Sequence, residues 1–582
     1  MRKNLIAMSA ATLVAGLGLA GGAAANVLPD NGVSTTTATN ASAETVQNGG
    51  IGHQLIIPYY NVQGGNATLF NIVNTDLVNG KAVKVRFRGA SNSDDVFDFQ
   101  LYLSPGDVWA TTLTKAADGT ATLNTIDRSC TLPNLINGQP FVTARLPSFL
   151  TAAQKAQQTR EGYIEIFNMA DIPPFLADVT GAGALGAGPG VAPFGAPTTT
   201  VNPLFTAIKH VNGVPPGCGS AAMNALSADP ASTAAAYALG FRSPSTGLFS
   251  NFTIINVPKS GAETGEAVSI AATVLVNGPN GRGNIVFFPQ VAGTNATPDF
   301  FTADPALKTI AGTATGVTTG TAANTAYPGG VPLVAISQFD LPDLSTPYLV
   351  LPVYPPAATD PLAQAENLTR SLAVVNVINE FITDPVIAAN TDWVLSLPTR
   401  RYSVALDYRV NPVTNAQRAY TKFPNRDYFD ATNTPVALSV STGMPQICVN
   451  TQSTVYFDRE ESTFVGSSFV ISPNPPAAVF SLCGEANVLT FNSPFGASVL
   501  GAEISSANAP VPNNVTVGWA IINTPGLLTG LGAGVNAPSP GGNGLPILGK
   551  AYVTAKNNAV QAGFTTNFGG SYEHRYQRPT AP

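Results

Sequence analysis

Residues 52–114, GHQLIIPYYNVQGGNATLFNIVNTDLVNGKAVKVRFRGASNSDDVFDFQLYLSPGDVWATTLT, constrain the fold more than any other stretch, because they read as four or five strands in succession. His53 to Val62 is an apolar, aromatic run, and Gly64, Gly65 and Asn66 supply a turn. Asn79-Gly80 is a strong hairpin signal, since both residues tolerate positive φ. Lys81 to Arg88 alternates, with Val83, Val85 and Phe87 on one side and Lys84, Arg86 and Arg88 on the other. That period of two predicts a half-buried antiparallel strand. Val96 to Leu103 and Val108 to Thr114 continue the pattern across Ser104-Pro105-Gly106-Asp107, a turn by composition.

The rest of the chain extends this reading. Glu161 to Asn168 returns to strand alternation, while 150–160 predicts a short helix and 221–239 a helical stretch interrupted by Pro230. Stretches 177–203, 311–332 and 530–546 are loops rich in Gly, Ala, Pro and Thr. Five apolar runs end on asparagine, at Asn74, Asn168, Asn256, Asn376 and Asn523. Asparagine suits a strand end because its amide bonds nearby backbone and it accepts the left-handed conformation. The expected fold is all-β, in antiparallel β-sandwich units of an immunoglobulin-like or related kind, with long loops and a few short helices. Its expected divisions are 1–25, a flexible leader at 26–50, a β-rich unit at 51–340 and a second at 341–582, with the boundary near 335–350.

Arg2 and Lys3, the apolar run Leu5 to Leu19 and Ala23-Ala24-Ala25 have the form of a secretory signal peptide, so residues 1–25 are expected to be removed. Removal leaves 26 basic against 34 acidic residues, a net charge of −8. Charged residues make up 11% of the chain, where about 25% is usual, and no basic patch is present to meet phosphates. Nucleic acid is therefore excluded as a partner. Four cysteines, Cys130, Cys218, Cys448 and Cys483, in an exported context predict disulfides. Three connectivities are open, of which local pairing (Cys130 with Cys218, Cys448 with Cys483) is the simplest. A membrane barrel fits poorly, because the proline-rich insertions break any regular succession of ten-residue strands.

Chemistry is sparse. His53, His210 and His574 lie far apart, and no nucleophile elbow, zinc-protease motif, phosphate loop or dinucleotide fingerprint occurs. No catalytic residue is assigned and no enzyme is expected. Two acidic clusters are candidate calcium ligands: Asp94, Asp95 and Asp98, beside Asn92 and Ser93, and Asp458, Glu460 and Glu461. The simpler alternatives are a solvated turn for the first and an ion-pair network around Arg459 for the second. Tyr59, Tyr60 and Trp109 would line a binding face if the chain were an adhesin or carbohydrate-binding module, although their apolar strand context favours the core.

The run IPYYNVQGGNATLFNIVNTD, followed by AVKVRFRGASNSDDVFDFQLYLSPGDVW, resembles the opening of a group of proteobacterial cell-surface proteins. FDLPDLSTPY at 339–348, NTDWVLSLPTRRY at 390–402 and YFDREES at 456–462 resemble later blocks of that group, in the same order. The group is that of surface-layer-type proteins, including the kind that builds tubular nanopods around outer-membrane vesicles. The resemblance implies an exported structural protein that assembles with copies of itself. It implies a place at the cell surface, where an outer-membrane component such as lipopolysaccharide is a second partner and calcium a natural control. It carries over no catalytic residue.

Overall fold

The computed structural model describes residues 43–143, 146–177, 197–226, 233–273, 283–287, 368–402, 433–439, 441–460, 480–492, 498–511, 515–524, 544–561 and 564–578, with a few short pieces elsewhere. The expected signal peptide, the loop at 178–196, most of 311–332 and the 335–350 boundary lie outside the described residues.

The opening meander does not pair as a simple meander. Its strands divide between two seven-stranded sheets that face each other. The first runs in the order Ala43–Gln47, Val268–Thr273, Gln54–Asn61, Glu161–Ile172, Gly80–Gly89, Asp95–Leu103 and Cys130–Leu132. The second runs Gln139–Pro140, Ala121–Asn124, Val108–Lys115, Asn66–Asn74, Asn251–Asn256 and Gly261–Glu266, and Leu248–Phe249 also pairs with Asn66–Asn74. Among the described residues every strand pairing in both sheets is antiparallel. Between them Phe87, Phe97 and Phe99 from the first sheet meet Phe70, Trp109 and, just past Gln139–Pro140, Phe141 from the second, with Phe99 and Trp109 ring centres 5.4 Å apart. Each of these side chains contributes about 1.5–3 kcal/mol by leaving water.

The C-terminal half repeats the plan with two five-stranded sheets. One runs Thr463–Val465, Ser453–Asp458, Val517–Asn523, Asn376–Ile382 and Arg575–Gln577. The other runs Ser506–Pro510, Ala486–Asn492, Asn390–Ser396, Lys550–Thr554 and Gly570–Glu573, its first pair being parallel. Trp393, Phe491, Phe381 and Tyr456 form the aromatic centre of this second core. The fold is thus all-β and built of sandwiches, as the strand pattern predicts.

The sandwiches share apolar surface. Strand Asn390–Ser396 turns Trp393 and Leu395 into the C-terminal core and Val394 into the N-terminal one, where Val488, Leu500, Ile504 and Tyr552 join it. A sheet buried on both faces results from that placement.

Several local readings are refined. The helix is Ala152–Gln158, started by Thr151, whose hydroxyl accepts from the Gln154 N–H while the Gln154 side chain reaches back. The alanine-rich stretch forms two short helices, Ala221–Ala225 and Thr233–Ala238, on either side of Pro230. Of the five asparagines, Asn74, Asn256 and Asn523 do end strands, but Asn168 lies inside Glu161–Ile172 and Asn376 begins its strand. None of the five has positive φ. Their amides act instead: Asn74 donates to the carbonyls of Asn79 and Ser104, and Asn256 to Gly64. At Gly162 the requirement for glycine is steric, because a β-carbon would run into the Arg88 carbonyl of the neighbouring strand.

Two disulfides join Cys130 to Cys218 and Cys448 to Cys483. They fit a non-reducing compartment. Among the described residues no helix is long and apolar enough to cross a membrane.

Candidate functional site

The strand Gly80–Gly89 departs from its expected half-buried character: all ten residues are buried. Val83, Val85 and Phe87 face the aromatic core. Lys84, Arg86 and Arg88 face the other way, but they too are covered, and their charges are met by acids on adjacent strands. Lys84 bonds Asp98 and, at 2.5 Å, the Gln290 side chain. Arg86 lies 3.7 Å from Asp95, and Arg88 lies 3.3 Å from Glu165. Glu165 also pairs with Arg401, from the C-terminal half. Burial pulls the Lys84 ammonium below its ordinary range, and burial pushes the Asp98 carboxyl up, each partner opposing the other's shift. Period-two patterning cannot separate a solvated charged face from a covered one, which is why the sequence reading placed this face in water.

The first acidic cluster is accordingly not a solvated turn. Asp94, Asp95 and Asp98 are all buried. Asp95 and Asp98 serve the charged face just described, and Asp94 accepts from the Tyr408 hydroxyl at 3.1 Å. Neighbouring Asn92 donates to the Pro445 carbonyl at 2.7 Å, and the Glu485 N–H donates to the Ala90 carbonyl at 2.7 Å. The turn at 90–94 is therefore a knot that fastens the N-terminal sandwich to the C-terminal one. In the second cluster, Asp458 closes strand Ser453–Asp458 and accepts from the Glu460 N–H at 2.8 Å, Glu460 is exposed, and Glu461 lies outside the described residues. No group of three or more His, Cys, Asp or Glu side chains that could hold a metal occurs among the described residues.

The histidines do not converge. His53 is buried and accepts from the Ala272 N–H at 3.1 Å, and half-buried His210 lies 3.5 Å from Asp107. His574 is buried between Asn379 and the Val394 carbonyl, and burial pulls it down to about 3, so it is neutral. Tyr59, Tyr60 and Trp109 are each fully buried in the core, which removes them from any binding face. The Tyr59 hydroxyl donates to Glu161 at 3.0 Å and the Tyr60 hydroxyl to the Thr159 carbonyl at 3.0 Å.

Among the described residues, two outward sheet faces carry partly exposed apolar side chains. On the C-terminal sandwich, Val455, Ile521 and Ile378 stand side by side across three strands, and Phe457 lies directly opposite Trp519 in the next row. The Phe457 and Trp519 rings stack at 4.0 Å and 7°, with Trp519 37% exposed. Sequence alone did not single out this face, although Val455 with Phe457 and Trp519 with Ile521 stand at the strand period of two. On the N-terminal sandwich, Leu69, Asn71, Ala110, Thr112, Thr253 and the almost wholly exposed Ile126 line an uncharged groove of about 520 Å³.

Comparison of the chain with protein-family models, with curated proteins and with solved structures finds no match.

Proposed function

We propose that this chain is an exported structural protein of the cell surface that assembles with copies of itself into a surface layer or a tubular sheath around the outer membrane or its vesicles. The observation that carries the reading is the outward Val455, Phe457, Trp519, Ile521 and Ile378 face, an apolar sheet surface of a kind that monomeric proteins rarely leave open. The low charge, the two disulfides and the double-sandwich scaffold are consistent with it, as is the resemblance of the 57–109 run and of the blocks at 339–348, 390–402 and 456–462 to surface-layer-type proteins. Contacts between unlike faces of successive copies propagate as open sheets or tubes rather than closed rings. Lipopolysaccharide is the proposed partner on the membrane side.

Electron microscopy of the purified protein tests this, with calcium and then with chelator. Regular sheets or tubes are expected. Dispersed particles under every condition, together with saturable glycan binding, would replace the proposal with an adhesin reading in which exposed Trp519 supplies the sugar-stacking face.

A further inference from the structure

Between the two sandwiches lies a cavity of about 100 Å³. Asn66, Asn256 and Glu263 line it from the N-terminal half, and Asn390, Ser498 and Thr554 from the C-terminal half. Glu263 is 4% exposed, yet neither of its carboxylate oxygens has a hydrogen-bond partner. Asp392, fully buried, accepts from the Ser498 hydroxyl at 2.6 Å and the Leu500 N–H at 2.9 Å with one oxygen, and its other oxygen has no partner. Tyr552, directly across from Asp392 on the next strand, also buries a hydroxyl without a partner.

An ionised carboxylate taken out of water and left alone costs several kcal/mol, so such groups are met by a cationic side chain, a proton or a bound cation. Among the described residues no lysine or arginine forms an ion pair with Glu263 or Asp392. The two lysines that also line the cavity are Lys259, an exposed residue, and half-buried Lys556; Lys550 is paired with Glu573. The remaining lining is rich in neutral oxygens from amides and hydroxyls, the ligand set that hard cations take beside carboxylates.

We infer that this cavity is a cation site for a hard divalent ion of the calcium class, held by the Glu263 carboxylate and by neutral oxygens of Asn390, Ser498 and Thr554, and that the ion braces the two sandwiches. The inference concerns a single molecule and is independent of assembly. One directly ligating carboxylate places the affinity in the weak range of extracellular modules, with Kd of about 10⁻⁴–10⁻³ M. The charged groups nearest the site are Asp392, Lys259, Lys556 and the Lys550–Glu573 pair.

Thermal unfolding of the chelator-stripped full chain, with and without millimolar calcium, tests the site. Each tenfold excess of calcium over Kd is expected to raise Tm by about 1–3 °C. Terbium offers a second readout, through emission sensitised by Tyr552. Glu263→Gln is expected to abolish both responses while raising the Tm of the metal-free chain, because no charge is then buried. Tyr552→Phe is expected to lose the terbium emission and keep the calcium shift. A calcium shift that survives Glu263→Gln would overturn the assignment. So would a chain whose unfolding is indifferent to millimolar calcium.

Discussion

At the scale of single residues, the interior of the N-terminal sandwich is unusual in how much ionisable chemistry it encloses. Glu161 is fully buried, accepts from Tyr59 and from the Glu503 N–H at 2.8 Å, and is pushed by burial up to about 7. Because its folded value lies above that of the unfolded chain, the folded state holds a proton that the unfolded state has already released between about pH 4.5 and 7. Stability from this group is present at the acid end of that window and falls as pH rises through it. Chemical denaturation at about pH 5 and about pH 7.5 is expected to show the decline, and Glu161→Gln to reduce it; an unchanged pH dependence in the variant would mean that the buried carboxyl is ionised throughout. The Lys84–Asp98 pair supplies a second test. Lys84→Met removes the ammonium bonded to buried Asp98 and is expected to cost about 3–5 kcal/mol, whereas Lys84→Met with Asp98→Leu recovers most of the loss. Urea midpoints of the two variants measure both effects.

At the scale of elements, legibility in the sequence followed the physics of each signal. Alternation in Lys81 to Arg88 and the helix-forming run at 150–160 are local, and both structures form where they were expected. What lies beyond a strand's polar face is a tertiary fact, so the covered charges of Arg86 and Arg88 were read as solvated and the 90–94 knot as an open turn. Asparagine at an apolar run's end marks a backbone amide partner, but not the strand's boundary, as Asn168 and Asn376 show. Local cysteine pairing matched the shorter loops, spans of 88 and 35 residues. In the chain-entropy picture the first bridge contributes about 4–5 kcal/mol and the second about 3–4 kcal/mol. Cys130→Ser with Cys218→Ser is therefore expected to lower the urea midpoint more than Cys448→Ser with Cys483→Ser; the reverse order would show that native packing around Cys448 matters more than loop length.

At the scale of the whole molecule, the two sandwiches act as one body because the Asn390–Ser396 sheet contributes to both cores, while the outer Phe457–Trp519 face contributes to neither. That separation gives the assembly proposal a clean variant. Trp519→Asp puts a charge on the outward face and, because it also removes a ring stacked on Phe457, is expected to lower the melting temperature by a few degrees while leaving the chain folded. In the same sample, sheets or tubes are expected to disappear from electron micrographs. Intact arrays from a folded Trp519→Asp chain would move the contact to another surface.

Strand Gln54–Asn61 is flanked by Glu161–Ile172 and Val268–Thr273, and Asn390–Ser396 by Ala486–Asn492 and Lys550–Thr554. Each therefore waits, unpaired on both edges, for neighbours that leave the ribosome about a hundred residues or more later. Pairings of such long sequence separation form slowly. A nascent chain built this way stays threadable while most of it is still being made, and closes its sheets only once the last partners have arrived. Under the proposed export, which would carry the chain through a narrow channel before it folds, this late-closing topology acts as a timer written into strand order.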